Sequence, residues 1–248
     1  MTPVEPIKGL IPPVPVQSDW ARNSLTAAID HAFLKSNGIY ALDSKDPRSR
    51  PFVQLRSQIL KGLEGLGGRV IAVTSASAAN GKSHVAANLA CALSRVRSTT
   101  LIDLHLRRPV IGERFGLTAD QGVGAYLAGD EADVQLGLQI EGERLTVHTS
   151  GPAIDDSSDL LMSPRLERFF AQIHRDPDEP VCVVDTPPVL ESDDMTLIAR
   201  QVDGLLVVIE EGRTTKTQMI ETLRLLEGVP IVGTLLNKAM DPLAPLHR

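Results

Sequence analysis

Between Pro51 and Lys238 the sequence interleaves two apolar patterns, one of strand length and one with helical spacing. Short apolar runs recur as "VIAVT" (Val70 to Thr74), "TTLID" ending at Asp103, "LTVHT" from Leu145, "VCVVD" ending at Asp185, "LLVVI" from Leu205 and "PIVGTLL" from Pro230. Between most of them lie stretches long enough for helices: "HVAANLACALSRV", "SPRLERFFAQIH", "DDMTLIARQV" and "TKTQMIETLRLLEG". Ahead of the first run, Phe52, Leu55, Ile59 and Leu63 repeat at helical spacing, and Gly67-Gly68 closes that helix. Apolar strands separated by helices predict an α/β fold. Its mostly parallel sheet is covered by helices on both faces, with right-handed crossovers. Ligands of such sheets bind beyond the strands' carboxyl ends, which is where Asp103 and Asp185 fall.

The chain before Pro51 lacks this rhythm. Residues 1–17 carry five prolines (Pro3, Pro6, Pro12, Pro13, Pro15) and read as an extended leader. From Ser18 to about Ser49, "ARNSLTAAIDHAFL" suggests a weak helix followed by a polar linker, either a docking arm or a plain extension. The predicted organisation is a leader over 1–49, one domain over 50–240 and a short tail over 241–248.

Composition narrows the partners. A chain of 248 residues, 42% hydrophobic and 23% charged, suffices for one sizeable core. The net charge of −6 lacks the basic footprint of a phosphate-backbone binder, so no nucleic-acid partner is expected. Cys91 and Cys182 lie far apart in apolar segments and read as reduced packing residues. The apolar run "GLLVVI" falls far short of the roughly 20 residues that span a bilayer, and no signal-peptide pattern opens the chain. This reading places the protein in the cytoplasm and takes it to the membrane only through a partner.

The candidate chemistry begins where the first strand runs into "SASAANGKSHVAANLA", Ser75 to Ala90. Gly81-Lys82-Ser83 stands at a strand-to-helix turn, where backbone N–H groups and the helix dipole favour an anion. Lys82 can reach terminal phosphates and the Ser83 hydroxyl can coordinate Mg²⁺. The usual G-x-x-x-x-G-K-[ST] loop begins with glycine, whereas this chain has Ala76, followed inside the loop by Ala78, Ala79 and Asn80. Asn80 is the residue expected to tolerate left-handed backbone there. The stretch Ala78, Ala79, Asn80, Gly81, Lys82, Ser83 and His84 is the expected nucleotide cradle, in a P-loop NTPase three-layer sandwich. Asp185, just past four apolar residues, suits a Mg²⁺-bound water, and Thr186-Pro187-Pro188 stiffens the turn after it. Asp103 is the same kind of candidate on its own strand. Arg107 and Arg108 read equally as phosphate or carboxylate partners and as a solvated basic turn. His31, His84, His148 and His174 show no metal-ligand spacing and read as packing or surface residues.

Together these segments resemble the bacterial tyrosine autokinases of capsule and exopolysaccharide synthesis, a branch of the MinD/ParA-like P-loop ATPases. The resemblance covers about Pro51 to Lys238 and rests on "FVQLRSQI", the phosphate loop, "LIDLHLRRP" followed by "FGL", "VVDTPPVL", Asp194, "VDGLLVVIEEGRTTK" and "GTLLNK". It implies a cytoplasmic domain using ATP and Mg²⁺ that docks on a membrane polysaccharide co-polymerase, cycling between assembled and phosphorylated states. It also implies that Lys82 binds phosphate, Ser83 and Asp185 serve the metal, Asp103 holds the metal's water shell and Asn237 lies near adenine. MinD and ParA proteins carry a further signature lysine where this chain has Ser77, which favours the kinase-like branch over a positioning ATPase.

Three positions depart from the family. His105 stands where the second aspartate of Asp-x-Asp-x-Arg belongs; an imidazole can take a proton near neutral pH, so His105 joins Lys82, Asp103 and Asp185 as a candidate catalytic residue. The family's tyrosine-rich tail has no counterpart in "KAMDPLAPLHR", and the only tyrosines are Tyr40 and Tyr126. The Glu-x-x-Arg-x-x-Arg oligomer motif reduces to Arg56, with Arg50 and Val53 at its other positions, which weakens the case for a self-assembled ring. The expectations are thus a kinase-like regulator, a catalytically weak nucleotide switch on the same partner, or a MinD/ParA-like positioning ATPase.

Overall fold

The computed structural model describes residues 25–117, 122–129 and 137–239. The proline-rich stretch 1–17 and the tail 241–248 lie outside them. Among the described residues, eight strands form one sheet: β1 (Leu25–Ala27), β2 (Val70–Ser75), β3 (Thr99–Asp103), β4 (Leu138–Ile140), β5 (Leu145–His148), β6 (Val181–Asp185), β7 (Gly204–Glu210) and β8 (Ile231–Asn237). Their order is β1-β4-β5-β3-β6-β2-β7-β8, and every pairing is parallel except β4 with β5.

The uniform apolar character of the central strands follows from burial on both faces. Along β2, Ile71 and Val73 enter one core while Val70 and Ala72 enter the other. The first core is closed by α2 (Arg50–Leu66) and α3 (Lys82–Ser94). Phe52, Leu55, Ile59 and Leu63 are the buried stripe of α2, and Gly67, left-handed at φ 64°, ends that helix by donating to the Leu63 and Glu64 carbonyls. The small residues Ala86, Ala87, Ala90 and Ala92 let α3 sit buried all round between α2 and the sheet. The second core gathers α5 (Val123–Ala128), α6 (Ser157–Leu161), α7 (Pro164–Arg175) and α8 (Asp194–Ala199) around Phe169 and Phe170. A short α4 (Ile111–Phe115) follows β3, and α9 (Lys216–Leu225) links β7 to β8. Cys91 and Cys182 are buried free thiols, as their apolar surroundings predict, and burial pushes the Cys182 thiol up to about 12.

The segment before Pro51 differs from its weak helical pattern. Leu25–Ala27 is a strand parallel to β4, and α1 spans only His31–Ser36, capped by the Asp30 carboxylate on the Ala32 N–H. The stretch read as polar linker packs on α3: Ile39 and Ala41 are buried, and Asn88 Oδ1 accepts the Tyr40 and Ala41 N–H groups at 2.8 and 3.2 Å. Leu34, Ile39 and Ala41 have no regular spacing, so no periodicity announces them.

Candidate nucleotide site

Between β2 and α3 the chain reverses through a loop with two left-handed residues, Ala79 (φ 63°) and Gly81 (φ 90°). The left-handed residue expected at Asn80 is therefore its neighbour, and Asn80 acts through its side chain instead. Buried Asn80 donates from Nδ2 to Thr214 Oγ1 at 3.1 Å and Glu210 Oε2 at 3.3 Å, and its Oδ1 accepts the Ser77 N–H at 3.3 Å. Glycine is favoured at 81 by its left-handed φ of 90°, and a Cβ there would also push against Asn237 Nδ2. That amide donates to the Asn80 carbonyl at 2.9 Å, so Asn237 is committed to the loop itself. Lys238 Nζ, paired with Glu210 at 3.0 Å, donates to the Ala79 carbonyl at 2.9 Å. Gln218, whose side chain completes the capping box of α9 with Thr215, donates to Ser77 Oγ at 3.1 Å.

Sequence reasoning missed Glu210, Thr214 and Gln218 as loop holders. Glu210 and Thr214 fall in "EEGRTTK", which carried only the family resemblance, and Gln218 lies just beyond it; the pairings span 130 to 141 residues of chain.

Lys82 and Ser83 open α3, both buried. His84 turns the other way: its ring lies edge-on to Tyr40 and Phe52, with centroids 5.9 and 5.6 Å apart, so its side chain belongs to the packing around α2. Opposite the loop, the register of β3 and β6 pairs Asp103 with Asp185. Asp103 organises the charged turn after β3. Its Oδ1 accepts the His105 N–H at 3.1 Å, and its Oδ2 accepts the Val110 and Ile111 N–H groups at 3.0 Å each. Three acceptor positions are thus filled, leaving room for one further partner such as a metal-bound water. Burial and then the neighbouring Asp185 charge push the Asp103 carboxyl upward, against those three N–H bonds.

His105 Nδ1 lies 3.4 Å from Lys82 Nζ. Burial, then the Lys82 and Arg108 charges, hold this imidazole down at about 3, so it is neutral at physiological pH. Facing an ammonium, Nδ1 is assigned as the acceptor, which leaves the ring proton on Nε2. The remaining charges of the turn are held within the chain or exposed. Arg107 pairs with Asp194 at 3.3 Å, where Ser157 and Ser158 place their hydroxyls 2.6 and 2.7 Å from the same carboxylate. Arg108 is exposed. Ser157 and Ser158 lie in a segment to which the sequence assigns no chemistry. Arg56, the remnant of the oligomer motif, donates to the Ala92 carbonyl of α3 at 3.1 Å.

Asp185 differs from Asp103. It is 0% exposed, and neither carboxylate oxygen has a hydrogen-bond partner among the described residues. Burial raises its pKa, while the Lys82 charge and the Ser83 hydroxyl act in the opposite direction. A buried carboxylate left without a bonded partner is costly unless something charged completes its surroundings. Among the described residues no group of three or more His, Cys, Asp and Glu side chains can hold a metal by itself. The donor set of Ser83 hydroxyl, Asp185 carboxylate and phosphate loop instead fits Mg²⁺ that brings its own waters and phosphate ligands.

A phosphate loop opening a helix beside two strand-end carboxylates defines a P-loop NTPase. No family model matches the chain. The putative tyrosine-protein kinase EpsB of Ralstonia nicotianae is 27% identical over 200 residues, 79% of this chain and 26% of EpsB. The chain thus spans about a quarter of that relative's length. Tyrosine-protein kinase YwqD of Bacillus subtilis is 28% identical over 187 residues, 75% of this chain and 78% of YwqD. Among solved structures, the kinase domain of the Escherichia coli tyrosine kinase ETK superposes with a TM-score of 0.74 at 26% identity, covering 82% of this chain and 81% of that one. A plasmid partition protein from Borrelia burgdorferi, at 15% identity and a TM-score of 0.52 over 71% of this chain and 84% of its own, shares the fold alone. In sequence and fold together, the chain is similar to bacterial tyrosine-kinase domains.

Proposed function

We propose that the chain is a Mg·ATP-binding, kinase-like regulator of exopolysaccharide synthesis or export. In this reading it works on the cytoplasmic face of a membrane polysaccharide co-polymerase. The observation that carries the nucleotide reading is the buried Asp185 carboxylate, without a bonded partner, beside Lys82 and Ser83. The polysaccharide role and the membrane partner rest on the resemblance to tyrosine-protein kinases such as EpsB. Among the described residues no helix is long and apolar enough to cross a membrane, so attachment through a partner fits.

Bound Mg·ATP would supply the transferable phosphoryl group and the divalent charge. The chain's own contribution is positional and electrostatic. The loop amides and Lys82 hold phosphate oxygens, Ser83 and Asp185 hold the metal, and Asp103 fixes the corner and one water of the metal shell. Neutral His105, with Nδ1 accepting from Lys82 and its ring proton on Nε2, would orient the Lys82 ammonium and present an N–H donor rather than a base to this corner.

A second reading is favoured by the same histidine. With an imidazole in place of a carboxylate, nucleotide closes the domain onto its partner without transferring phosphate to protein. Intact-mass analysis and ADP release after incubation with Mg·ATP, beside Lys82→Ala, separate the two. Added phosphate absent from the variant supports kinase action, and ADP without added mass leaves water or a missing partner as the acceptor. Neither signal, with nucleotide still bound, supports the switch.

A further inference from the structure

The turn after β6 carries an acidic side chain into the phosphate loop. Thr186 Oγ1 donates to the Val73 carbonyl and Thr74 Oγ1 to the Pro187 carbonyl, each at 2.9 Å, tying the turn to β2. Val189 N–H then donates to the Ser75 carbonyl at 2.9 Å and Leu190 N–H to the Ala76 carbonyl at 3.1 Å. The two segments therefore run side by side, and the next residue, Glu191, stands beside Ala78. Its Oε1 accepts the Ala78 N–H at 2.6 Å. Ala78 is one of the loop amides that the nucleotide reading assigns to phosphate, so the chain's own carboxylate occupies an anion position in that cradle. Glu191 is exposed, and its bond can break without dragging apolar surface into water.

We infer that Glu191 is a built-in competitor for the phosphate seat. In the nucleotide-free protein its carboxylate holds the Ala78 N–H, and an incoming phosphate must displace it. The inference rests on the nucleotide-binding reading above and adds a level of control to that site. A ligand whose seat is partly filled by the protein binds with its intrinsic dissociation constant divided by the fraction of open molecules. A charge-assisted bond to a backbone amide is among the stronger hydrogen bonds, and the carboxylate also repels phosphate while it stays nearby.

The test titrates a fluorescent ATP analogue with Mg²⁺ into the full chain as wild type, Glu191→Gln, Glu191→Ala and Lys82→Ala. Both Glu191 variants are expected to bind roughly three- to tenfold more tightly than wild type, the net worth of one hydrogen bond that no longer has to be broken. Lys82→Ala is expected to lose binding. Without nucleotide, the Ala78 amide resonance in ¹⁵N–¹H spectra should move upfield in Glu191→Ala as its short hydrogen bond is lost. Equal or weaker binding by both Glu191 variants, with Lys82→Ala still defective, overturns the inference and leaves the nucleotide reading standing. An Ala78 resonance unmoved by the substitution overturns it as well. If neither wild type nor any variant binds, both readings fall.

Discussion

Replacing Asp185 by Asn should stabilise the nucleotide-free domain while removing its response to Mg·ATP. The carboxylate is fully buried and neither oxygen has a hydrogen-bond partner among the described residues. Leaving a buried polar group unsatisfied costs about 1–3 kcal/mol, and more when it is charged. An amide of the same shape stays unsatisfied but removes the charge, so only the extra cost of the charge is recovered, a gain of about 1 kcal/mol or roughly 2–4 °C in melting temperature for a domain of this size. The pH dependence has a definite sign. Burial raises the folded-state pKa of Asp185 above its ordinary 3.8, so the folded protein holds this proton more firmly than the unfolded chain does. That contribution is fully present below about pH 4 and is lost as pH rises through the folded-state value. The gap between Asp185→Asn and wild type should therefore be small at pH 4 and widen toward neutral pH. Differential scanning fluorimetry without and with Mg·ATP measures all three effects. Wild type should gain about 2.7 kcal/mol at a hundredfold excess over its dissociation constant, and the variant should gain almost none. A variant that melts below wild type without ligand, or that keeps the full ligand shift, would refute the assignment of Asp185 to the metal.

Four further outcomes follow from the same geometry. His105→Asp should raise ADP release about tenfold or more if a carboxylate base is what the corner lacks, and unchanged turnover counts against that explanation. The His105 ring should stay neutral from pH 5 to 8 in imidazole NMR spectra, since burial and Lys82 hold it at about 3; a midpoint near 6.5 would contradict the buried, Lys82-facing placement. Gly81→Ala should abolish nucleotide binding and cost about 1–3 kcal/mol of stability, because φ is 90° and the new methyl collides with Asn237; full affinity in this variant would disprove the close loop packing. Ser157→Ala should cost about 1–2 kcal/mol in chemical denaturation, because it removes a buried hydroxyl bonded to Asp194; a neutral change would mean that Arg107 and Ser158 suffice.

What the sequence made legible follows from the range of each interaction. The central strands and the helices α2, α3, α7 and α9 are long enough for period and apolarity to declare them. The phosphate loop and both aspartates are readable because a strand-to-helix turn fixes them locally. β1 and β4, three residues each, and the short helices α4, α5 and α6 are set by tertiary packing and leave no period. Asn80 shows the limit inside a well-recognised motif. Its residue type suggested backbone tolerance, whereas its role is a side-chain bridge to Glu210 and Thr214, more than a hundred residues away. The charged turn after β3 is similar: Asp103 holds backbone amides, Arg107 finds Asp194, and His105 faces Lys82, each partner invisible to spacing alone.

The central claim, a Mg·ATP site built from the Lys82 loop and Asp185, is tested most directly by calorimetric titration of Mg·ATP into wild type and Lys82→Ala. The account predicts saturable one-site binding to wild type that requires Mg²⁺ and disappears in the variant. Absence of binding to wild type, or equal binding to both proteins, would contradict it.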